Sequence, residues 1–162
     1  MQDKENKVEI YTDGGCSNNP GEGGIGVLLM YKGHKKTING YVPHTTNNQM
    51  ELLAAIIALE SLSKPCEIDL YTDSKYIKNG ITEWIHNWKK NNWRSASKAP
   101  VKNQLLWKRL DELVQIHKIE FKWVKGHAGI AENEEVDQLC QKAMAEKAPL
   151  LNNHLHLIEQ DI

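Results

Sequence analysis

Apolar and polar residues alternate along the first part of the chain, as they do in strands with one buried face. The pattern predicts strands over 8–13, 25–31 and 35–41. A loop dense in turn-forming residues, 14–21, separates the first two strands, and residues 32–34 are typical of a hairpin turn. Because the links between these strands are short, we expect an antiparallel meander.

The hydrophobic period then changes to that of a helix. Between Asn47 and Leu62 apolar residues recur at helical spacing, and Thr46 or Asn47 can cap the first turn. The rest of the pattern predicts a strand over 67–72, a helix over 75–81 that can continue through 84–92, a helix over 103–117, a strand over 119–124 and a helix over 131–145. This order predicts an α/β protein with a five-stranded mixed sheet, in which helical crossovers follow three antiparallel strands and helices cover both faces.

The length of 162 residues fits one domain. Composition excludes wholesale disorder, since 40% of residues are apolar and 25% are charged. Residues 1–146 are expected to form the domain, with 147–162 as a poorly ordered tail. Whether Leu155, Leu157 and Ile158 of that tail pack on the body or on a partner is left open by the sequence.

Targeting signals and cysteine usage favour a cytoplasmic protein. No run approaches the roughly 18–20 apolar residues of a membrane span, and no apolar run follows the polar start as in a secretory signal. The cysteines Cys16, Cys66 and Cys140 are odd in number and form no CxxC pair. A disulfide framework or a structural zinc site is therefore not expected, and a reducing compartment fits best.

The net charge of −1 conceals three unlike segments. Residues 1–83 carry 8 basic and 11 acidic side chains (net −3), residues 84–125 carry 10 and 3 (net +7), and residues 126–162 carry 2 and 7 (net −5). All five tryptophans lie in the basic segment: Trp84, Trp88, Trp93, Trp107 and Trp123. Cations interleaved with aromatic rings suit a nucleic acid, although a solvated helical face with core tryptophans explains the same pattern.

Two predicted strands end in the same tripeptide, Tyr-Thr-Asp, at 11–13 and 71–73. Strand alternation places each Asp opposite the apolar set of its strand. If the two strands are parallel neighbours, Asp13 and Asp73 lie side by side at the carboxyl edge of the sheet, where open α/β sheets bind ligands. Taken alone, an Asp at a strand end is more often a turn residue or a helix cap.

Two further acidic residues border apolar helix faces. Glu51 lies beside the stripe of the first long helix, and Asp137 lies beside the apolar face of the last. Four converging carboxylates repel one another unless cations neutralise them, and hard oxygen donors suit Mg²⁺ or Mn²⁺. Individually, Glu51 is explained by an ion pair and Asp137 by a solvated acidic cluster; their joint occurrence favours a metal site. His127, in a glycine-hinged loop, can exchange protons near neutral pH or can simply be a solvent-exposed loop residue.

Seven ordered motifs carry a family resemblance. They are Tyr-Thr-Asp-Gly-Gly-Cys (11–16), Asn-Pro-Gly (19–21), Thr-Thr-Asn-Asn-Gln-Met-Glu-Leu (45–52), Thr-Asp-Ser (72–74), Trp-Ile-His-Asn-Trp-Lys-Lys (84–90), Trp-Val-Lys-Gly-His-Ala-Gly (123–129) and Glu-Asn-Glu-Glu-Val-Asp (132–137). From about Lys7 to Ala145 the chain resembles the bacterial type 1 ribonuclease H family, ribonuclease HI. The resemblance implies the ribonuclease H-like fold and a monomer.

The resemblance also implies an activity, hydrolysis of the RNA strand of an RNA–DNA hybrid by two metal ions. The expected products carry 5′-phosphate and 3′-hydroxyl ends, and the expected metal is Mg²⁺, with Mn²⁺ as a substitute. By motif position, Asp13, Glu51, Asp73 and Asp137 are the metal-binding and catalytic carboxylates. His127 matches a mobile histidine that assists proton transfer or product release.

Substrate contacts carry over in the same way. Residues expected at the minor groove, where RNA displays its 2′-hydroxyls, are Cys16, Asn19, Asn47, Asn48 and Gln49. Those expected at a DNA-strand phosphate are Thr46 and Asn103. A basic protrusion at about 84–102 is expected to grip the DNA strand through Trp84, Trp88, Lys89, Lys90 and Trp93, at least one of these tryptophans being core packing.

Some positions depart from the family pattern. His44 stands where an Arg often supports the phosphate pocket, Lys75 stands where Gln is common, and Asn91 and Asn92 stand where the protrusion often carries Arg and Gly. None belongs to the acidic tetrad. Two other hypotheses are a DNA nuclease of the same fold, which the asparagines and the protrusion disfavour, and a non-catalytic hybrid-binding module, which would be expected to lack a carboxylate.

Overall fold

The structure, a computed structural model, describes residues 7–95, 97–125 and 130–158. The strands are β1 Val8–Cys16, β2 Gly21–Tyr31, β3 His34–Thr45, β4 Glu67–Thr72 and β5 Lys118–Trp123. The helices are α1 Asn47–Glu60, α2 Lys75–Asn79, α3 Ile85–Lys90, α4 Gln104–Ile116 and α5 Ala131–Glu146. No helix in these described ranges is both long and apolar enough to cross a membrane.

The five strands form one sheet in the order β3-β2-β1-β4-β5. The pairs β1–β2 and β2–β3 are antiparallel, whereas β1–β4 and β4–β5 are parallel. Alternate residues of β1 face opposite sides, as strand geometry requires. The predicted mixed sheet, an antiparallel meander followed by helical crossovers, is confirmed.

Helices cover both faces of the sheet, also as predicted. Ile10 and Leu70 face a large core that includes α1 and the fully buried Trp107 of α4. Tyr11 and Leu28 face the other side, where they pack against Val136 of α5. Since α1 is buried along most of its length, it lies between the sheet and α4.

The helix predicted over 75–81 ends at Asn79, earlier than expected. A wider turn of π-helix, Gly80–Trp84, joins α2 to α3, and its closing bond runs from the Ile85 amide to the Gly80 carbonyl. A side chain at Gly80 would collide with the ring of Trp107. The close approach of that buried ring therefore requires glycine, a tertiary constraint that the local pattern does not contain.

The prediction of a poorly ordered tail is wrong for residues 147–158. The carbonyl of Tyr41 accepts a hydrogen bond from the Leu151 amide at 3.2 Å, beside the edge strand β3. A 3₁₀-helix follows over Asn152–Leu157, and Ile158 is 1% exposed. Local composition predicted disorder, but the apolar side chains of this segment pack on a core built from distant parts of the chain.

Candidate active site and nucleic-acid interface

The two Tyr-Thr-Asp tripeptides lie side by side. Tyr11 of β1 pairs with Tyr71 of the parallel strand β4, and the two rings stack with centroids 4.5 Å apart. Thr12 and Thr72 are buried on the opposite face. The parallel pairing of β1 with β4 ends at these tyrosines, and Asp13 within β1 and Asp73 just after β4 lie close together beyond it, so the predicted juxtaposition of the two aspartates is confirmed.

Glu51 joins these aspartates from the first turns of α1. Gly14 makes the approach possible, because a Cβ at that position would lie 2.6 Å from the Glu51 backbone nitrogen. One ligand oxygen from each of Asp13, Glu51 and Asp73 lies within 4.8 Å of the others. Three elements that are distant in sequence thus bring three carboxylates to one point.

Asp137 of α5 completes the group. Its carboxyl shares a hydrogen bond with that of Asp13. Asp13, Asp73 and Asp137 line one cleft of about 130 Å³, together with Asn133 and Glu134. The four carboxylates expected from the sequence are therefore all at this site.

The electrostatics of the cluster favour a bound cation or protonation of its carboxylates. Burial, then the charges of Asp73 and Asp137, raise the pKa of Asp13 to about 8. Burial, then the charges of Asp13 and Asp73, raise the pKa of Glu51 well above its usual range. Glu51 Oε2 is buried without a hydrogen-bond partner in the part of the chain that the structure describes. A bound divalent cation would satisfy that oxygen and offset the mutual repulsion, so the residues fit a hard metal ion.

His127, predicted as an accessory catalytic residue, lies outside the described residues. The strand before it ends at Trp123 and the helix after it begins at Ala131.

The residues expected at a minor groove lie around the start of α1. The Cys16 amide donates to Asn47 Oδ1 at 2.8 Å, and the Asn47 amide donates to Asn19 Oδ1 at 3.2 Å. Asn19, Asn47 and Asn48 are exposed. Burial raises the pKa of the Cys16 thiol to about 11, so this side chain is neutral at physiological pH. These four residues form a compact polar, uncharged surface.

Gln49 does not belong to that surface, which corrects the sequence prediction. Its side chain is fully buried, with 0% exposed. Gln49 Oε1 accepts from the Thr45 hydroxyl and the Thr46 amide, at 2.9 and 3.2 Å. Gln49 Nε2 donates to Asn103 Oδ1 and to the Ile158 carbonyl, both at 3.2 Å. It therefore positions neighbouring residues from inside the protein.

Thr46 and Asn103, expected at a phosphate, are brought together by this glutamine. Thr46 is the N-cap of α1, and its side chain accepts from the Gln49 amide. Asn103 precedes α4 in the left-handed region (φ 60°), is 2% exposed and donates from Nδ2 to the Tyr76 hydroxyl at 3.1 Å. Their contact with a phosphate stays a prediction.

Gln49→Met is expected to lower the free energy of unfolding by about 2–3 kcal/mol, because it removes the capping box and leaves buried groups unpaired. Urea denaturation measures the change. Asn48→Ala, at an exposed neighbouring position, is the control and should change stability by less than about 0.5 kcal/mol. Equal stability of Gln49→Met and the unaltered chain would contradict the positioning role.

The tryptophans of the predicted protrusion form a ladder of half-buried rings. Trp84 and Trp88 have centroids 5.9 Å apart, and Trp88 and Trp93 have centroids 6.2 Å apart. Trp88 also lies 5.4 Å from the buried Trp107, which anchors the ladder to the core. Because Trp84, Trp88 and Trp93 are only partly buried, part of each residue can contact a ligand. Of the lysines here, Lys89 pairs with Asp111 at 3.2 Å and Lys90 is exposed.

Two residues with a place at the site were missed by the sequence analysis. The Tyr76 hydroxyl accepts from Asn103 Nδ2 and from Trp107 Nε1, at 3.1 and 2.9 Å, and so joins α2 to the start of α4. No local signal identifies it, since its partners are 27 and 31 residues away. Trp123 is exposed beside Asp73; its position at the end of an alternating strand, next to Lys122 and Lys125, was the available signal.

The fold and the site define a class: a hydrolase with an open mixed sheet and a cluster of carboxylates, at one edge of that sheet, that could hold a divalent metal. The RNase H family profile matches residues 5–145. The chain belongs to the ribonuclease H family, in its bacterial type 1 branch. It is a hydrolytic nuclease, and the activity of this family is cleavage of the RNA strand of RNA–DNA hybrids.

The chain is similar to known ribonucleases H both in sequence and in structure. The chain is 56% identical over 146 residues to the ribonuclease H of Bartonella tribocorum, covering 90% of this chain and 94% of the relative. It is 58% identical over 140 residues to that of Legionella pneumophila, covering 86% and 98%. The crystal structure of LC9-RNase H1, a type 1 RNase H with the type 2 active-site motif, superposes with a TM-score of 0.80 at 31% identity, covering 91% of this chain and 76% of that one. The crystal structure of LC11-RNase H1 in complex with RNA/DNA hybrid superposes with a TM-score of 0.68 at 25% identity, covering 86% of this chain and 98% of that one.

Proposed function

We propose that the chain cleaves the RNA strand of an RNA–DNA hybrid by a two-metal mechanism that leaves 5′-phosphate and 3′-hydroxyl ends. Asp13, Glu51, Asp73 and Asp137 hold the ions, and their oxygen donors suit Mg²⁺. The observation that carries the proposal is the convergence of three carboxylates within 4.8 Å of one another, Asp13 from β1, Asp73 after the adjacent parallel strand β4 and Glu51 from α1. When bound, the ions supply activation of water and stabilisation of the leaving oxygen. Mn²⁺ is expected to substitute for Mg²⁺.

The protein's own groups bind and orient the substrate. Cys16, Asn19, Asn47 and Asn48 present neutral polar groups without bulk, which suits the shallow minor groove where 2′-hydroxyls are displayed. The tryptophan ladder and Lys90 offer flat apolar surface and charge to the DNA strand. The hybrid bound to LC11-RNase H1 supports this choice of substrate. We assign His127 the movement of a proton at the cleaved phosphate.

The test is a comparison of labelled substrates with the purified protein and Mg²⁺, with and without a chelator. We expect cleavage of the RNA strand of a hybrid, loss of cleavage with the chelator, and intact duplex DNA and single-stranded RNA. Mapping the product ends tests the proposed chemistry. Cleavage of duplex DNA at a comparable rate would favour a DNA nuclease, and binding of hybrid without cleavage would favour a non-catalytic module; either result overturns the proposal.

A further inference from the structure

An exposed tryptophan is hydrogen-bonded to the backbone of Asp73, one of the clustered carboxylate residues. Trp123, the last residue of β5, pairs in register with Thr72, the residue before Asp73. Its Nε1 donates to the Asp73 carbonyl at 3.1 Å, which fixes the ring, yet 37% of the residue is exposed. The indole N–H therefore already has a hydrogen-bond acceptor, and the exposed part of the ring is an apolar surface next to Asp73.

Two lysines of α2 lie against this ring. The ammonium groups of Lys75 and Lys78 are 5.7 and 5.2 Å from the Trp123 ring centroid, within the range of cation–π attraction. Both residues are exposed, and neither forms an ion pair within residues 7–95, 97–125 and 130–158. By contrast, the nearby Lys122 pairs with the buried Asp69 at 3.4 Å.

This arrangement favours an anion. Two ammonium groups held near one ring carry like charges that repel each other. An anion that contacts both Lys75 and Lys78 removes the repulsion and gains two attractive interactions. Because the Trp123 ring has no free N–H, recognition here rests on charge and not on the base sequence.

We propose that Lys75, Lys78 and Trp123 form a binding site for one backbone phosphate of the RNA strand, adjacent to the phosphate that is cut. This inference rests on the proposed function. We assign the phosphate to the RNA strand because Trp123 is hydrogen-bonded to Asp73, whose carboxylate belongs to the site that cuts this strand. The RNA backbone bound at that carboxylate would continue past Lys75, Lys78 and Trp123. The site is separate from the tryptophan ladder, which begins at Trp84 and is assigned to the DNA strand.

The first experiment measures hybrid affinity against salt concentration for the double variant Lys75→Met, Lys78→Met, in chelator so that no strand is cut. Loss of one phosphate contact is expected to lower the slope of log Kd against log salt by about 1 and to weaken binding about threefold to tenfold. Lys64→Met, which removes an exposed lysine between α1 and β4, is the matched control and should leave the slope unchanged. An unchanged slope in the double variant overturns the proposal.

The second experiment identifies the phosphate and its strand. Uncharged methylphosphonate linkages are placed one at a time in the RNA strand or in the DNA strand. At one RNA position near the cleaved bond, we expect the neutral linkage to weaken binding to the unaltered protein and to have no effect on the double variant. If the neutral linkage affects the unaltered protein and the double variant differently only at DNA-strand positions, or at no position, the proposal is overturned.

Two controls keep the outcomes distinct. Thermal unfolding of the double variant should match that of the unaltered chain, since both substitutions are at exposed positions. If the unaltered chain cuts no hybrid, the proposed function fails. If it cuts hybrid and Lys75→Met, Lys78→Met shows the same salt slope, only the phosphate site fails.

Discussion

Asp73→Asn is expected to lower the cleavage rate of the RNA strand by about 1,000-fold or more while hybrid binding survives. The amide keeps the shape of the side chain but removes one of the charges that hold the metal beside Asp13 and Glu51. Binding persists because the polar surface at the start of α1 and the tryptophan ladder are elsewhere. Single-turnover cleavage with Mg²⁺ and anisotropy of a labelled hybrid measure the two effects separately.

Asp69→Asn is the matched control for this experiment. Asp69 lies in β4, the strand that ends immediately before Asp73, and is buried, but its carboxylate pairs with Lys7 and Lys122 at 3.5 and 3.4 Å. It is not one of the clustered residues, so its variant should retain the cleavage rate even if stability falls. A fully active Asp73→Asn protein, or equal loss of rate in both variants, would refute the metal-ligand role.

Asp13→Asn is expected to stabilise the metal-free protein at pH 8 by about 2 kcal/mol or more. In the folded chain the pKa of Asp13 is raised to about 8, so this carboxyl holds its proton to a higher pH than it does when unfolded. Between about pH 4 and pH 8 the folded state binds more protons, and stability therefore falls as pH rises. One pKa unit corresponds to about 1.4 kcal/mol, and the variant removes this loss.

Urea denaturation in chelator, at pH 4 and pH 8, measures this difference. The gain from Asp13→Asn should be large at pH 8 and small at pH 4, which lies so close to the ordinary pKa of an aspartate that little of the loss of stability has accumulated. Adding Mg²⁺ at pH 8 should stabilise the unaltered chain more than the variant, since binding to the folded state alone shifts the equilibrium. An Asp13→Asn protein that is less stable than the unaltered chain at pH 8 in chelator would contradict the repulsion described here.

The sheet and the carboxylate cluster were predictable because their signals are local and repeated. The Tyr-Thr-Asp tripeptide occurs in β1 and again at the end of β4, and parallel pairing of Tyr11 with Tyr71 brings their aspartates together. The function of Gln49 was not predictable in this way. Its Nε2 bonds to the carbonyl of Ile158, 109 residues further along, and no local pattern reports that partner.

The same distinction explains the error at the end of the chain. Pro149 and the two asparagines at 152–153 are typical of a loose tail. Yet Tyr41 of the edge strand β3 accepts a hydrogen bond from the Leu151 amide, and Ile158 is buried. Local composition describes what a segment does alone, whereas burial depends on the surface that the rest of the fold offers.

The π-helical turn between α2 and α3 sets the direction in which the tryptophan ladder faces. A bond from residue 85 to residue 80 encloses one residue more than an α-helical turn does. In an α-helix each residue advances about 100° around the axis. A regular α-helix formed by the same residues would therefore rotate Trp88 and Lys89 by about 100° relative to α2. One additional residue in this turn thus sets the orientation of the tryptophan ladder relative to the carboxylate cluster.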